Sequence, residues 1–256
     1  MGRVRVLCRP ALALTLLALI SYLLLATWGV ENPGIQYDEV LFANAALGVQ
    51  DDSFVVWTLS LGPKKLPIML MRYIGALKAY VYYPVLRLFG SDPLALRLPA
   101  ILVGGAALLL YVAVARRIYG RRVALLFAPL LAVDPSYLYH LRMDWGPVAL
   151  MLLLKGAGVY FFLRWWDTGK DRNLALSGLC LGLGVFDKVN FVWFLLAAGL
   201  GVALVYRKDL LGHLKPRAAS LFLGFTLLGS LPVVMYNVAD PLATFRDPYG
   251  LPALQL

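Results

Sequence analysis

A chain of 256 residues, 61% hydrophobic and 15% charged, with a mean hydropathy of +0.75, has too little polar surface to cover a soluble sphere. Soluble domains carry about 25% charged residues. The composition points to a polytopic membrane protein. It excludes disordered, collagenous and disulfide-stapled chains, since Cys8 and Cys180 are too few and too distant for a framework. The net charge of +10 raises nucleic acid as a partner, and the placement of the basic residues answers that question differently.

In chain order, Arg9 and Glu31 enclose 21 uncharged residues, enough for a spanning helix of about 20 residues. This run exceeds a signal-peptide core, and Ala26-Thr27-Trp28 makes a poor cleavage site, so it reads as an uncleaved anchor. Residues 31–97 then form a long first loop. Two parts of it read as helical: Asp38 to Val49, with acids at the positive end of the helix dipole, and Pro67 to Leu88, opening on proline. The second mixes Ile68, Leu70, Ile74 and Leu77 with Arg72, Lys78 and four tyrosines, as expected of an interfacial helix.

Further spans follow. Arg97 to Arg116 encloses 18 uncharged residues, Lys188 to Arg207 another 18, and Arg217 to Asp240 22. Asp144 to Arg164 encloses 19, interrupted by Lys155. Two runs are shorter: Val123 to Val133, extended by Asp134-Pro135 and Ser-Tyr-Leu-Tyr, and the 14 residues from Asn173 to Phe186. The expected fold is therefore all-α and polytopic, with about seven transmembrane helices and interfacial helices in the first loop. It forms one module over 1–256: a first span (1–30), the loop (31–97), spans two to seven (98–239) and a tail (240–256).

With the N-terminus cytoplasmic, the inner segments carry Arg3, Arg5 and Arg9; Arg116, Arg117, Arg121 and Arg122; Arg164, Lys170 and Arg172; and Arg207, Lys208, Lys215 and Arg217. These are 14 of the 24 basic residues, accompanied by only Asp167, Asp171 and Asp209 among the acids. The charge is a positive-inside signal, and nucleic acid is not needed to explain it. The long loop then lies on the outer face of a plasma (inner) membrane. The absence of an Asn-x-Ser/Thr sequon favours a bacterial membrane over the endoplasmic reticulum.

Three clusters could carry chemistry. Asp38-Glu39 has a plain reading as a cap plus a dipole partner, and a functional one as a general base at an outer cavity. In His140-Leu-Arg142-Met-Asp144-Trp145-Gly146-Pro147, Asp144 serves as a cap with Pro147 in the first turn. The same device accounts for Asp92-Pro93 and Asp134-Pro135. Capping leaves Arg142 and His140 unexplained, on the same face as Asp38. Asp187-Lys188 ends a run of 14 residues, about 21 Å of helix, so both charges fall below the surface of a core about 30 Å thick. There they either pair with each other or face a polar cavity. Lys155, mid-span, carries the same ambiguity.

No phosphate-cradling glycine loop, Cys-x-x-Cys or His-Glu-x-x-His is present. His140 and His213 fall on opposite faces and share no metal. A metal among Asp38, Glu39, His140 and Asp144 is not indicated, and no cofactor is expected, with a divalent cation left open. Gly178-x-x-x-Gly182 reads as close helix packing.

The order of these features resembles the GT-C membrane glycosyltransferases, and most closely the bacterial branch related to protein O-mannosyltransferases and the lipid A aminoarabinose transferase (glycosyltransferase family 39). Four segments carry the resemblance: Tyr37-Asp38-Glu39; Leu66-Pro-Ile-Met-Leu-Met-Arg-Tyr-Ile-Gly-Ala-Leu-Lys78; Leu141-Arg-Met-Asp-Trp-Gly-Pro147; and Gly184-Val-Phe-Asp-Lys188. It implies transfer of a sugar, with inversion, from a polyprenyl-phosphate donor to a hydroxyl of a lipid, glycan or protein acceptor on the outer face. Asp38 is the implied base, with Glu39 beside it. Arg142, Lys188, Lys64, Lys65 and Arg72 are the implied partners of the lipid phosphate, and His140, Asp144 and Asp187 join the substrate site. Family members usually carry further spans after the seventh. The chain then reads as the family's seven-span module, with three alternatives open: a fragment whose C-terminal half is missing, a split enzyme completed by a partner subunit, or a minimal enzyme. Two other readings stand beside it: a non-catalytic or truncated membrane subunit, and a lipid or solute transporter with Lys155 and Asp187-Lys188 on its path. No inverted repeat supports the transporter.

Overall fold

The structure, a computed structural model, describes residues 9–48, 54–62, 64–143, 145–208, 212 and 215–246. Nine helices are considered below: α1 (Arg9–Thr27), α2 (Tyr37–Leu47), α3 (Leu77–Phe89), α4 (Pro93–Ala132), α5 (Pro135–Arg142), α6 (Val148–Thr168), α7 (Asp171–Asp187), α8 (Phe191–Val205) and α9 (Pro216–Ala239). Strands β1 (Trp57–Leu61), β2 (Lys64–Met71) and β3 (Ile74–Gly75) form an antiparallel sheet in the order β1-β2-β3.

The fold is mainly helical, as expected, and the sheet corrects one part of that reading, the interfacial helix from Pro67 to Leu88. Residues 64–71 are extended and helix begins only at Leu77. The reason is burial on both faces. Successive side chains of a strand point oppositely: Leu70 packs with Phe42, Phe54 and Ala79 from α2, α3 and the intervening loop, whereas Met69 packs with Phe186, Val233 and Tyr236 from α7 and α9. A continuous apolar run fits a doubly covered strand as well as a helix, so Leu66–Met71 was ambiguous in sequence. The sheet is thereby wedged between the α2–α3 pair and the ends of α7 and α9.

Helix α4 is a hairpin. Gly120 takes φ 84° and ψ 176°, a conformation open to glycine without a Cβ penalty, and the chain reverses there. Residues 104 and 137 lie nearly equidistant from Gly120 in sequence, and the Tyr137 hydroxyl donates to Gly104 O at 2.7 Å. An unbroken helix would hold them about 50 Å apart. Tyr22 of α1 closes the same knot, donating to Ile101 O at 3.1 Å and packing its ring, tilted, 5.7 Å from that of Tyr137. Asp92 and Asp134 cap α4 and α5, accepting from Ala95 N and Tyr137 N at 2.7 Å each.

From α1 through the two arms of α4 to α6, α7 and α9, each segment packs on its neighbour. Their ends sort into two groups. One carries the sheet, α2, α3 and α5. The other carries the Arg117–Asp167 and Arg217–Asp171 ion pairs and the Trp166–Tyr206 ring contact. We call these the sheet end and the basic end. Pro93–Ala132, Val148–Thr168 and Pro216–Ala239 are long and apolar enough to cross a membrane, while Ala11–Thr27 and Phe191–Val205 are shorter apolar helices. The chain is a multi-pass membrane protein, mainly helical.

Helices α7 and α9 run parallel and pack backbone against backbone. A Cβ on Gly178 would stand 2.6 Å from Phe222 O, and one on Gly182 would stand 2.1 Å from Thr226 O. Gly178-x-x-x-Gly182 is therefore a packing device. Gly182→Leu is expected to force the two helices apart and to cost on the order of 1–3 kcal/mol, read as a lower unfolding temperature in detergent micelles. Gly199→Leu on α8, where a Cβ meets nothing within 4 Å, should leave that temperature unchanged; equal effects would contradict this packing.

Candidate functional site

Helix α2 starts immediately after the loop that follows α1, and its first turn presents two adjacent carboxylates in opposite directions. Glu39 points inward, 2% exposed. Its Oε2 accepts from Gln36 N at 2.7 Å, closing the first turn. Its carboxylate also receives both arms of Arg97 from α4: Nε to Oε1 at 2.6 Å and Nη2 to Oε2 at 3.0 Å. Arg97 is fully buried. Its remaining donors reach the loop backbone, Nη1 to Val30 O and Nη2 to Pro33 O at 3.1 Å and Gly34 O at 3.0 Å. A guanidinium shared between a bidentate carboxylate and three carbonyls is a charge whose burial is well compensated.

Arg142 of α5 holds the same loop from the other side, donating through Nη2 to Gly29 O and to Asn32 O at 3.2 Å. Two arginines therefore fix residues 29–34, the segment that delivers α2. His140 turns back onto its own helix, with Nδ1 2.7 Å from Ser136 O.

Asp38 faces the opening. It is half-buried and lines a cleft of about 230 Å³ with Gln36, Tyr37, Tyr139, Met143 and Trp145. A Cβ on Gly146 would lie 3.7 Å from Asp38 Oδ2, so the carboxylate sits against the Trp145-Gly146 turn. Lys78 of α3 fixes that turn: its Nζ donates to Gly146 O at 2.9 Å, is 1% exposed, and lies 3.8 Å above the Phe42 ring and 5.2 Å from that of Tyr82. Aromatic faces stabilise a cation held away from water. Tyr139 packs against Trp145 at 5.9 Å, closing the cleft wall. Asp144, between two lining residues, lies outside the described residues, and so does the side chain of Lys64.

The other sequence candidates gather around the sheet. Asp187 is fully buried at the end of α7 and Lys188 is half-buried. Lys188 bridges to Ile74, and Val189 N donates to Tyr73 O at 3.0 Å. Arg72, half-buried in the β2–β3 turn, therefore flanks the same backbone junction as Lys188. Lys65 is exposed on β2, paired in register with Ser60. Lys155 of α6 faces aromatic rings, with Nζ 5.3 Å from the Phe194 centroid and 5.8 Å from that of Phe191. Among the described residues no three His, Cys, Asp or Glu side chains come close enough together to hold a metal ion.

Sequence reasoning missed Arg97 and Lys78. Arg97 served as a span boundary, although Asp92-Pro93 already marked an earlier helix start that places it in the second turn. Lys78 was grouped with the snorkelling residues of an amphipathic helix, and no sequence signal separates a buried lysine from a snorkelling one.

The sequence model of the family described as dolichyl-phosphate-mannose-protein mannosyltransferase matches residues 76–236, from the start of α3 to near the end of α9. No curated protein and no solved structure matches the chain.

Removing one member of the Arg97–Glu39 pair strands a buried charge. Arg97→Met or Glu39→Gln should destabilise by about 3–5 kcal/mol, and Arg97→Met combined with Glu39→Leu should recover much of that loss. Thermal unfolding in detergent reads both. Single variants that melt with the wild type would show the pair to be dispensable.

Proposed function

We propose glycosyl transfer at the sheet end, from the premise that the chain belongs to the dolichyl-phosphate-mannose-protein mannosyltransferase family. The chain is thus a membrane glycosyltransferase of the GT-C type. The finer reading is a reaction on the outer face of a bacterial inner membrane, with seven crossings, a cytoplasmic N-terminus and a polyprenyl-phosphate sugar as donor. Its orientation rests on the positive-inside bias of the basic end.

In this reading an acceptor hydroxyl of a lipid, glycan or protein enters the cleft beside Asp38. Its oxygen attacks the anomeric carbon from the face opposite the phosphate. The new C–O bond forms as the anomeric carbon–oxygen bond to phosphate breaks, with inversion; the hydroxyl proton passes to Asp38 and the lipid phosphate departs. Positive charge near the leaving phosphate lowers such a barrier, and Lys188, Arg72 and Lys65 are the cations on the sheet side. Glu39 and Arg142 act by holding the loop and helix that aim Asp38, and Lys78 by holding the Gly146 turn opposite it.

The observation that supports Asp38 as base is its difference from Glu39. Adjacent in sequence, one carboxylate is consumed by a buried guanidinium, while the other lines the cleft with no ion pair or side-chain hydrogen bond among the described residues. Asp38 lies before the matched residues, so its role rests on this geometry.

The test is sugar transfer in proteoliposomes supplied with a panel of polyprenyl-phosphate sugars. Asp38→Asn, isosteric but without a basic carboxylate, should lower the rate by about 10²–10⁴-fold while leaving the unfolding temperature near that of the wild type. Transfer by the variant at the wild-type rate would remove Asp38 from the reaction.

A further inference from the structure

The basic end holds a second concavity that sugar transfer at the sheet end leaves unused. A groove of about 690 Å³ runs between the first half of α1, the turn of the α4 hairpin and Tyr160 of α6. Its floor is apolar, with Leu12, Leu109, Val112 and Leu125, and its rim carries Arg116, Arg117 and Arg121. Reversal at Gly120 puts these three guanidinium groups around one opening, because it folds residues 116 and 121 back onto the same end of the bundle.

The three arginines are not equivalent. Arg117 is paired with Asp167. Arg116, exposed, and Arg121, half-buried, make no hydrogen bond or ion pair among the described residues, although they stand together on the rim. Like charges held side by side repel, and a bound anion relieves this cost. On the groove wall the Tyr160 hydroxyl accepts from Arg164 Nη1 at 3.2 Å, which fixes the ring and leaves its own proton available to donate.

We propose that this groove binds an anionic diacyl phospholipid of the adjoining leaflet, with its head-group phosphate between Arg116 and Arg121 and the start of an acyl chain over Leu12 and Leu109. Guanidinium groups match phosphate oxygens bidentately, and basic pockets between membrane helices suit anionic head groups. The volume lies in the range of about 300–1,000 Å³ usual for small-molecule sites. The apolar floor distinguishes a lipid from free phosphate, which would gain nothing from it. Leu12 is 62% exposed and continues that floor onto the outer surface of α1, giving an acyl chain a path out of the groove. The bound lipid would join α1 to the hairpin at the end opposite the β1-β2-β3 sheet.

Native mass spectrometry of the full chain in detergent tests this, with phosphatidylglycerol, phosphatidylcholine, polyprenyl phosphate and inorganic phosphate as separate probes. Phosphatidylglycerol should be retained in preference to the other three. Replacing both rim arginines (R116Q with R121Q) should weaken its retention on the order of 30-fold, two surface cations at about 1 kcal/mol each. Arg122→Gln removes a neighbouring exposed charge that does not line the groove and should have little effect. Ala113→Trp fills the groove without changing charge and should also lose the lipid, so the proposal stays testable if the double variant does not fold. Equal retention of phosphatidylcholine, or equal loss in Arg122→Gln, would reduce the effect to diffuse charge and overturn the site. Preferential retention of polyprenyl phosphate or inorganic phosphate would overturn the assigned occupant.

Discussion

One buried ion pair organises the sheet end. Arg97 leaves the second turn of the long hairpin helix and meets Glu39 on α2, with both side chains out of solvent. Burying two charges costs several kcal/mol each unless geometry and extra hydrogen bonds compensate. Here the compensation is nearly complete, because the guanidinium also satisfies the carbonyls of Val30, Pro33 and Gly34. The result is a loop whose backbone carbonyls are tied to one buried guanidinium. Since Asp38 and Glu39 are adjacent on a helix, fixing one carboxylate inward fixes the direction of the other.

The rest of the sheet end is arranged around that constraint. Arg142 braces the loop from α5, and Lys78 braces the Gly146 turn that faces Asp38. The small sheet fills the space between α2–α3 and the tips of α7 and α9, so the cleft wall and the Lys188 junction belong to one packed unit. The basic end is built by a different logic, in which exposed arginines surround an apolar groove and the ion pairs lie at the surface. Charge is buried where position matters and left at the rim where, in our reading, it meets lipid.

Much of this was legible in the sequence. The apolar runs located the long helices, Asp92-Pro93 and Asp134-Pro135 marked caps that the structure realises, and Gly178-x-x-x-Gly182 announced its packing role. Asp38 stood out because an acid just after an apolar run invites a functional reading. What was hidden required long-range partners. Leu66–Met71 is as apolar as a helix, and only the two surfaces that cover it make it a strand. Arg97, counted as the edge of a span, lies inside a helix because Glu39 pays for its burial. The family resemblance cast Arg142 as a phosphate partner, and no local signal announced that its Nη2 reaches carbonyls more than one hundred residues away.

The central claim is that the Arg97–Glu39 pair sets the loop that aims Asp38. Hydrogen exchange reads it most directly, because local opening registers segment by segment. In Arg97→Met, amides of residues 29–37 should exchange much faster than in the wild type, while those of α7 and α9 keep their protection. Unchanged protection of residues 29–37 in the folded variant would show that the loop is held by something other than this pair, and the account of how Asp38 is positioned would fail.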